Sequence, residues 1–376
     1  MAPHLSARAA LGLRGVQAAE AFSKSQPSRS LRDGTPDPRD GCTTWKGTTT
    51  SSKAAIMATK TPSDIPEAIP HMVDHVLAEL RAHRVRHDGQ PAVPPLIVGV
   101  QGPQGSGKTY LTSILRDVLQ EPPHNLSVAV LSLDDLYLPH GGLVSLANTH
   151  PDNALLRGRG QPGTHDVPLG TELLNKLKRI NSSSDAHELE LPSFDKSLYD
   201  GEGDRAPRGH VVRPPIDVVL FEGWCVGFYP ISQAEAGRRY AQPVKGLGTD
   251  FLQSRGYRLQ DVLDVNERLK SYVSWWDLFD AFIQIKPPEG HPYDYIYKWR
   301  LQQEHNMKAR NGGKGMSDEQ VEKFVDRYIP GYVFFGDGVV SGHEDASGKR
   351  SSPPWTGHGL QVQIGEYREV LHVDRF

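Results

Sequence analysis

The sequence predicts an α/β fold, a doubly wound and mainly parallel sheet with helices on both faces. Three observations predict it. An apolar run at residues 96–100 leads straight into a glycine-rich turn and then an amphipathic stretch at 110–120. Two further apolar runs, 128–133 and 216–221, each stop at an acid. All three runs are short and mostly apolar, as strands covered on both faces are expected to be.

The pattern starts late in the chain. Residues 1–60 hold 7 Ser, 7 Thr, 5 Gly and 4 Pro against two aromatics, Phe22 and Trp45. They have little to bury in return for being ordered, and read as a disordered tail or an upstream extension before Met57. The catalytic domain is then expected over 61–376. Arg8 and Arg14, with no acid in the first nineteen residues, also resemble a mitochondrial targeting segment weakly. The rest of the composition points to the cytoplasm, with a nuclear location left open. Two cysteines in 376 residues exclude a disulfide scaffold and a Cys-built metal site. The balance of 42 Lys plus Arg against 45 Asp plus Glu argues against a nucleic-acid partner. No run approaches the roughly 18 apolar residues of a membrane helix.

Met72, Val76, Leu77 and Leu80 recur at helical spacing and predict a helix over 71–84, broken by a proline-rich segment. After the first strand comes Gly102-Pro103-Gln104-Gly105-Ser106-Gly107-Lys108-Thr109. This is G-x-x-x-x-G-K-[ST] in full, between a strand and a helix, which is the context that gives the motif its meaning. The glycines let the backbone curl so that several N–H groups face one phosphate cluster, and the helix N-terminus favours negative charge there. Lys108 supplies a mobile cation for the β- and γ-phosphates, and the Thr109 hydroxyl is placed to ligate Mg²⁺. These features together predict a nucleoside triphosphate site of the P-loop type.

The second strand runs into Asp134 and Asp135, and the third into Glu222. Ligands of open parallel sheets bind outside the carboxyl ends of the strands, where these acids fall. Glu222 stands where a Walker-B acid would hold Mg²⁺, and Asp134 where an ionised carboxylate could take the proton of an attacking hydroxyl. Taken alone, each reads as an ordinary strand-end or N-cap carboxylate; the P-loop is what turns the pair toward function. No guanine-reading [NT]-K-x-D and no DExD/H signature is present. Between the second and third strands lie three polar loops, Leu156 to Asp166, Leu191 to Ser197 and Gly201 to Arg205. They suggest an acceptor pocket or plain surface loops. Residues 297–310 read as a helix carrying Arg300, Lys308 and Arg310. A break comes at 311–315, then a restart at Ser317 with a capping box to Gln320. A basic helix beside a glycine hinge suits a phosphate-closing lid over about 295–330, with an exposed helix pair as the alternative. Residues 340–359 read as an exposed insertion before a last strand at 360–364.

The motifs GPQGSGKT, SLDDLY, GRGQPGTHD, FDKS with GEGDR, FEGW and WRLQQEH…NGGKGMSDEQV…FVDRYIPGY resemble the fungal ATP-dependent kinases related to plant D-glycerate 3-kinase. These belong to the wider phosphoribulokinase, uridine kinase and pantothenate kinase group, and the resemblance covers residues 65–376. It implies that residues 102–109 bind ATP, that Asp134 is the catalytic base with Asp135 in support, and that Glu222 is the Walker-B acid. Arg300, Lys308 and Arg310 fall in the region of the group's lid basics, and Arg159, His165 and Lys196 would face the acceptor. The acceptor-side pattern of uridine kinases is not reproduced around Phe194 to Arg205. That leaves room for a small anion whose carboxylate would suit an arginine. The expected activity is transfer of the γ-phosphoryl of Mg·ATP to a metabolite hydroxyl, with D-glycerate as the suggested acceptor. A nucleoside or pantothenate-type kinase, and an ATP-hydrolysing regulatory NTPase, are the alternatives.

Overall fold

Six strands form the central sheet of the computed structural model, which describes residues 65–182, 188–344 and 350–376. The tail assigned to residues 1–60 lies outside the described residues. The strands are β1 (Leu96–Gln101), β2 (Val128–Ser132), β3 (Val218–Gly223), β4 (Ala281–Lys286), β5 (Gly359–Ile364) and β6 (Val370–Arg375), in the order β6-β5-β4-β1-β3-β2. The first five are parallel to one another, and β6 closes one edge antiparallel to β5. In the middle, β1 and β3 run in register from Leu96 opposite Val218 to Gln101 opposite Gly223, every residue of both buried. That burial explains why their sequences are almost continuously apolar.

The helices that matter for the site are α1 (Ala68–Arg86), α2 (Lys108–Gln120), α3 (Val167–Arg179), α4 (Asp294–Arg310), α5 (Asp318–Asp326) and α6 (Ile329–Phe335). The helix expected at 71–84 already begins at Ala68, and the stretch after the glycine motif is helical from Lys108 itself. Ser317 and Gln320 form the capping box expected of them, each side chain bonding the other's backbone N–H. Among the described residues no helix is long and apolar enough to cross a membrane.

Two expectations need correcting. The strand at 360–364 is not the last, because β6 comes after it. Nor are residues 340–359 simply an exposed insertion: Trp355 is fully buried, stacks on Phe282 with centroids 4.4 Å apart and donates its Nε1–H to the Val339 carbonyl at 2.9 Å. A tryptophan carries too much apolar surface to leave in water when the sheet offers a face, and it draws the proline-rich segment inward with it.

Candidate active site

The glycine loop curls because Gly105 and Gly107 sit in the left-handed region, at φ +75° and +86°. Gly105 is required on two counts. A Cβ there would also lie 2.5 Å from the backbone nitrogen of Arg300 and 2.6 Å from the carbonyl carbon of Trp299, so helix α4 packs directly on the loop. We expect Gly105→Ala to cost about 2–5 kcal/mol from left-handed strain plus overpacking against backbone that cannot move aside. Thermal melts and the ATP KM together check this, and an unchanged melting temperature would contradict it. On the loop's other flank, Gln104 donates its backbone N–H to the Tyr332 hydroxyl at 3.1 Å.

Three side chains converge on Glu222, which is only 2% exposed. Lys108 Nζ forms an ion pair with Oε2, while Thr109 Oγ1 and Ser132 Oγ donate to Oε1 at 3.2 and 2.8 Å. The three arrive from α2 and the end of β2, which the β1-β3-β2 order sets side by side. One carboxylate and two hydroxyls are hard oxygen donors on a single wall, a set that fits Mg²⁺, which keeps several of its waters. Ser132 is not legible as a site residue from sequence; its only signal is a polar residue ending an apolar strand just before the acids.

Asp134 lies next, in a short 3₁₀ turn, Leu133–Leu136, capped by Ser132 Oγ. Its carboxylate pairs with Lys196. Burial pushes its pKa up, but Lys196 and Lys108 outweigh burial and hold it well below the usual carboxylate range. The partner responds in kind, Asp134 raising the Lys196 pKa. Asp135 accepts the Phe194 N–H at 3.0 Å instead, so it anchors the Lys196 loop.

His165 is 3% exposed and stacks on Tyr137 with centroids 4.5 Å apart. Its Nδ1 lies 2.7 Å from the Tyr272 hydroxyl, which already accepts the Gly163 N–H at 2.8 Å. That hydroxyl therefore has its proton to give to Nδ1, leaving Nε2 as the protonated nitrogen. Nε2 is buried and has no partner among the described residues. Burial lowers the pKa to about 3 despite the pull of Asp134, so the ring is neutral at physiological pH. Arg159 donates to the carbonyls of Gly201 (2.6 Å) and Glu202 and lies over the Phe194 ring at 5.8 Å.

The glycine-rich loop that carries Arg159 and His165 is held from behind. Trp224 donates to the Gly160 carbonyl at 2.9 Å, and Arg327 to the carbonyls of Arg157 (2.5 Å) and Arg159. The FEGW and FVDRYIPGY segments are thus its scaffold.

The lid basics are placed differently from the rest. The Arg300 guanidinium pairs with buried Glu304 at 2.7 Å and covers the Phe324 ring, rather than reaching Lys108. Lys308 packs beside Gly315, and Arg310 is exposed, roughly 12 and 15 Å farther along the helix than Arg300 at about 1.5 Å per residue. Glu304 Oε1 also accepts the Met316 N–H at 2.6 Å, which fastens α4 across the glycine turn to the start of α5. The structure therefore brings together the loop, Glu222, Asp134, Lys196, His165 and Arg159; the Arg300 backbone packs on the loop while its guanidinium is paired with Glu304, and Lys308 and Arg310 lie farther along α4.

No protein-family model matches the chain. A probable ATP-dependent kinase of Saccharomyces cerevisiae is 37% identical over 246 residues, covering 64% of this chain and 78% of that protein. The chloroplastic D-glycerate 3-kinase of Arabidopsis thaliana is 36% identical over 257 residues, 68% of this chain and 50% of that one. Among solved structures, D-glycerate 3-kinase from Cryptococcus neoformans var. grubii superposes with a TM-score of 0.74 at 41% identity, covering 82% of this chain and 99% of its own. With the glycine loop and the parallel sheet in place, the chain belongs to the P-loop family of ATP-dependent kinases that includes D-glycerate 3-kinase.

Proposed function

We propose that the protein phosphorylates a small anionic hydroxy acid, D-glycerate being the acceptor that its relatives' names support. One observation carries the anionic preference: the base Asp134 is covered by Lys196, with Arg159 and the buried Nε2–H of His165 beside it. That is one acid to take a proton and a group of donors to take a carboxylate.

ATP would lie with its β- and γ-phosphates on residues 102–109, and Lys108 would leave Glu222 for the phosphates. Mg²⁺, held through Glu222 and Thr109, would neutralise charge on the phosphate oxygens. The acceptor hydroxyl, its proton passing to Asp134, attacks the γ-phosphorus; the bond from that phosphorus to the β,γ-bridging oxygen breaks, and ADP leaves. His165 is a fixed neutral donor to an acceptor oxygen. Arg300, Lys308 and Arg310 would act only on closure of the 295–330 segment. We place the enzyme in the cytoplasm, whose reducing conditions suit a chain with two cysteines.

ADP release measured with a panel of acceptors tests the reading. Glycerate-stimulated turnover supports it. Stimulation by nucleosides or pantothenate instead, or slow hydrolysis indifferent to every acceptor, overturns it. Tyr272→Phe is expected to raise the acceptor KM about tenfold and spare the ATP KM, because His165 loses the hydroxyl that fixes its tautomer. Initial-rate kinetics with each substrate varied in turn checks the split.

A further inference from the structure

The turn between β5 and β6 carries an arginine that no motif singles out. Arg368 adopts φ +67°, a conformation that side chains other than glycine rarely take. Its guanidinium reaches three acceptors on two other elements. Nε donates to the Gly105 carbonyl at 2.9 Å, Nη1 to Gln302 Oε1 at 2.5 Å and Nη2 to the Trp299 carbonyl at 3.1 Å. Its Cδ passes 3.8 Å from where a Cβ on Gly107 would stand. No carboxylate pairs with it among the described residues, and burial lowers its pKa.

A residue kept in a costly backbone conformation, its charge half-buried against neutral groups only, needs a return elsewhere. The geometry points to Arg368 as a positioning residue that holds the phosphate loop in its binding shape and fastens it to helix α4. The peptide between Gly105 and Ser106 is where it acts. Left-handed Gly105 borders that peptide and left-handed Gly107 follows Ser106, so the backbone on either side can turn. Arg368 holds its carbonyl, and the Pro103 carbonyl accepts its N–H at 3.2 Å. With both edges held, the curl exists before ATP arrives, and ATP is spared the cost of ordering it. The same side chain makes the start of α4 part of the loop's wall.

This rests on the ATP reading of residues 102–109, and one calorimetric series separates the two. Wild type comes first: no binding of ATP overturns that reading itself. Arg368→Gly removes the guanidinium while relaxing the left-handed strain, so it should fold. It is expected to weaken ATP binding, in both Kd and KM, by tenfold or more, with the acceptor KM and the melting temperature close to wild type. Arg368→Lys is expected to recover only part, since one ammonium cannot span three acceptors. An unchanged ATP Kd in the glycine variant overturns the proposal. So does a parallel loss of ATP and acceptor affinity with a lowered melting temperature, or full recovery by lysine.

Discussion

Lys108→Ala is expected to lower turnover by at least about 10³-fold, the scale on which a preorganised charge at a developing anion acts. The loss has two sources. The γ-phosphoryl loses its mobile cation, and Glu222 loses its ion-pair partner while remaining 2% exposed. Removing one member of a buried pair costs about 3–5 kcal/mol, so a lowered melting temperature should accompany the lost turnover. Thr109 and Ser132 still bond Oε1, which moderates the damage. A second substitution, Glu222→Gln in the Lys108→Ala background, should restore stability without restoring activity. Steady-state ADP release and thermal melts on both proteins check this; a single variant retaining a tenth of wild-type turnover would contradict it.

Asp134→Asn should be nearly as severe and different in kind. The amide keeps the shape and the Ser132 cap but cannot take a proton, so transfer should fall about 10²–10⁴-fold, the usual share of a positioned base. ATP affinity should stay near wild type, because Asp134 does not hold the loop. Full activity in the purified variant would refute the assignment. The pH profile adds a sign. Cations hold the free enzyme's carboxyl well below its ordinary pKa near 3.9, so it stays ionised and costs kcat/KM nothing as pH falls to about 4. An anionic acceptor that draws Lys196 away would let that pKa climb. The acid limb of kcat should therefore lie at higher pH than that of kcat/KM.

Local patterns are readable in the sequence and distant ones are not. The phosphate loop and its flanking strand and helix occupy one continuous stretch, 96–120, so composition and spacing alone expose them. Glu222 and Asp134 are legible because strand ends in a parallel sheet lie on one side. Strand β4 escapes such a reading: Ala-Phe-Ile-Gln-Ile-Lys is short, has a polar residue in the middle and comes after a tryptophan-rich helix, so no clean period marks it. Tyr272, Trp224 and Arg327 act on a loop about 65–170 residues away in sequence, and only the fold makes those partners neighbours. The lid cations show how a local reading leaves a side chain's partners open. A basic helix before a glycine hinge is a sound local reading, yet Arg300 is committed to Glu304 and the other two lie farther along the helix.

The two lysine–carboxylate pairs also bear on waste. A phosphotransferase that holds ATP in a wet cleft risks handing the phosphoryl to water. In the free enzyme Lys108 pairs with Glu222 and Lys196 with Asp134. Once nucleotide draws Lys108 to its phosphates and Glu222 turns to Mg²⁺, Asp134 is the acid still held by a lysine. A water molecule carries no charge with which to dislodge Lys196, whereas a hydroxy acid brings one. The acceptor would thus unlock the base by its own charge, and an empty cleft would stay chemically quiet while fully loaded with nucleotide.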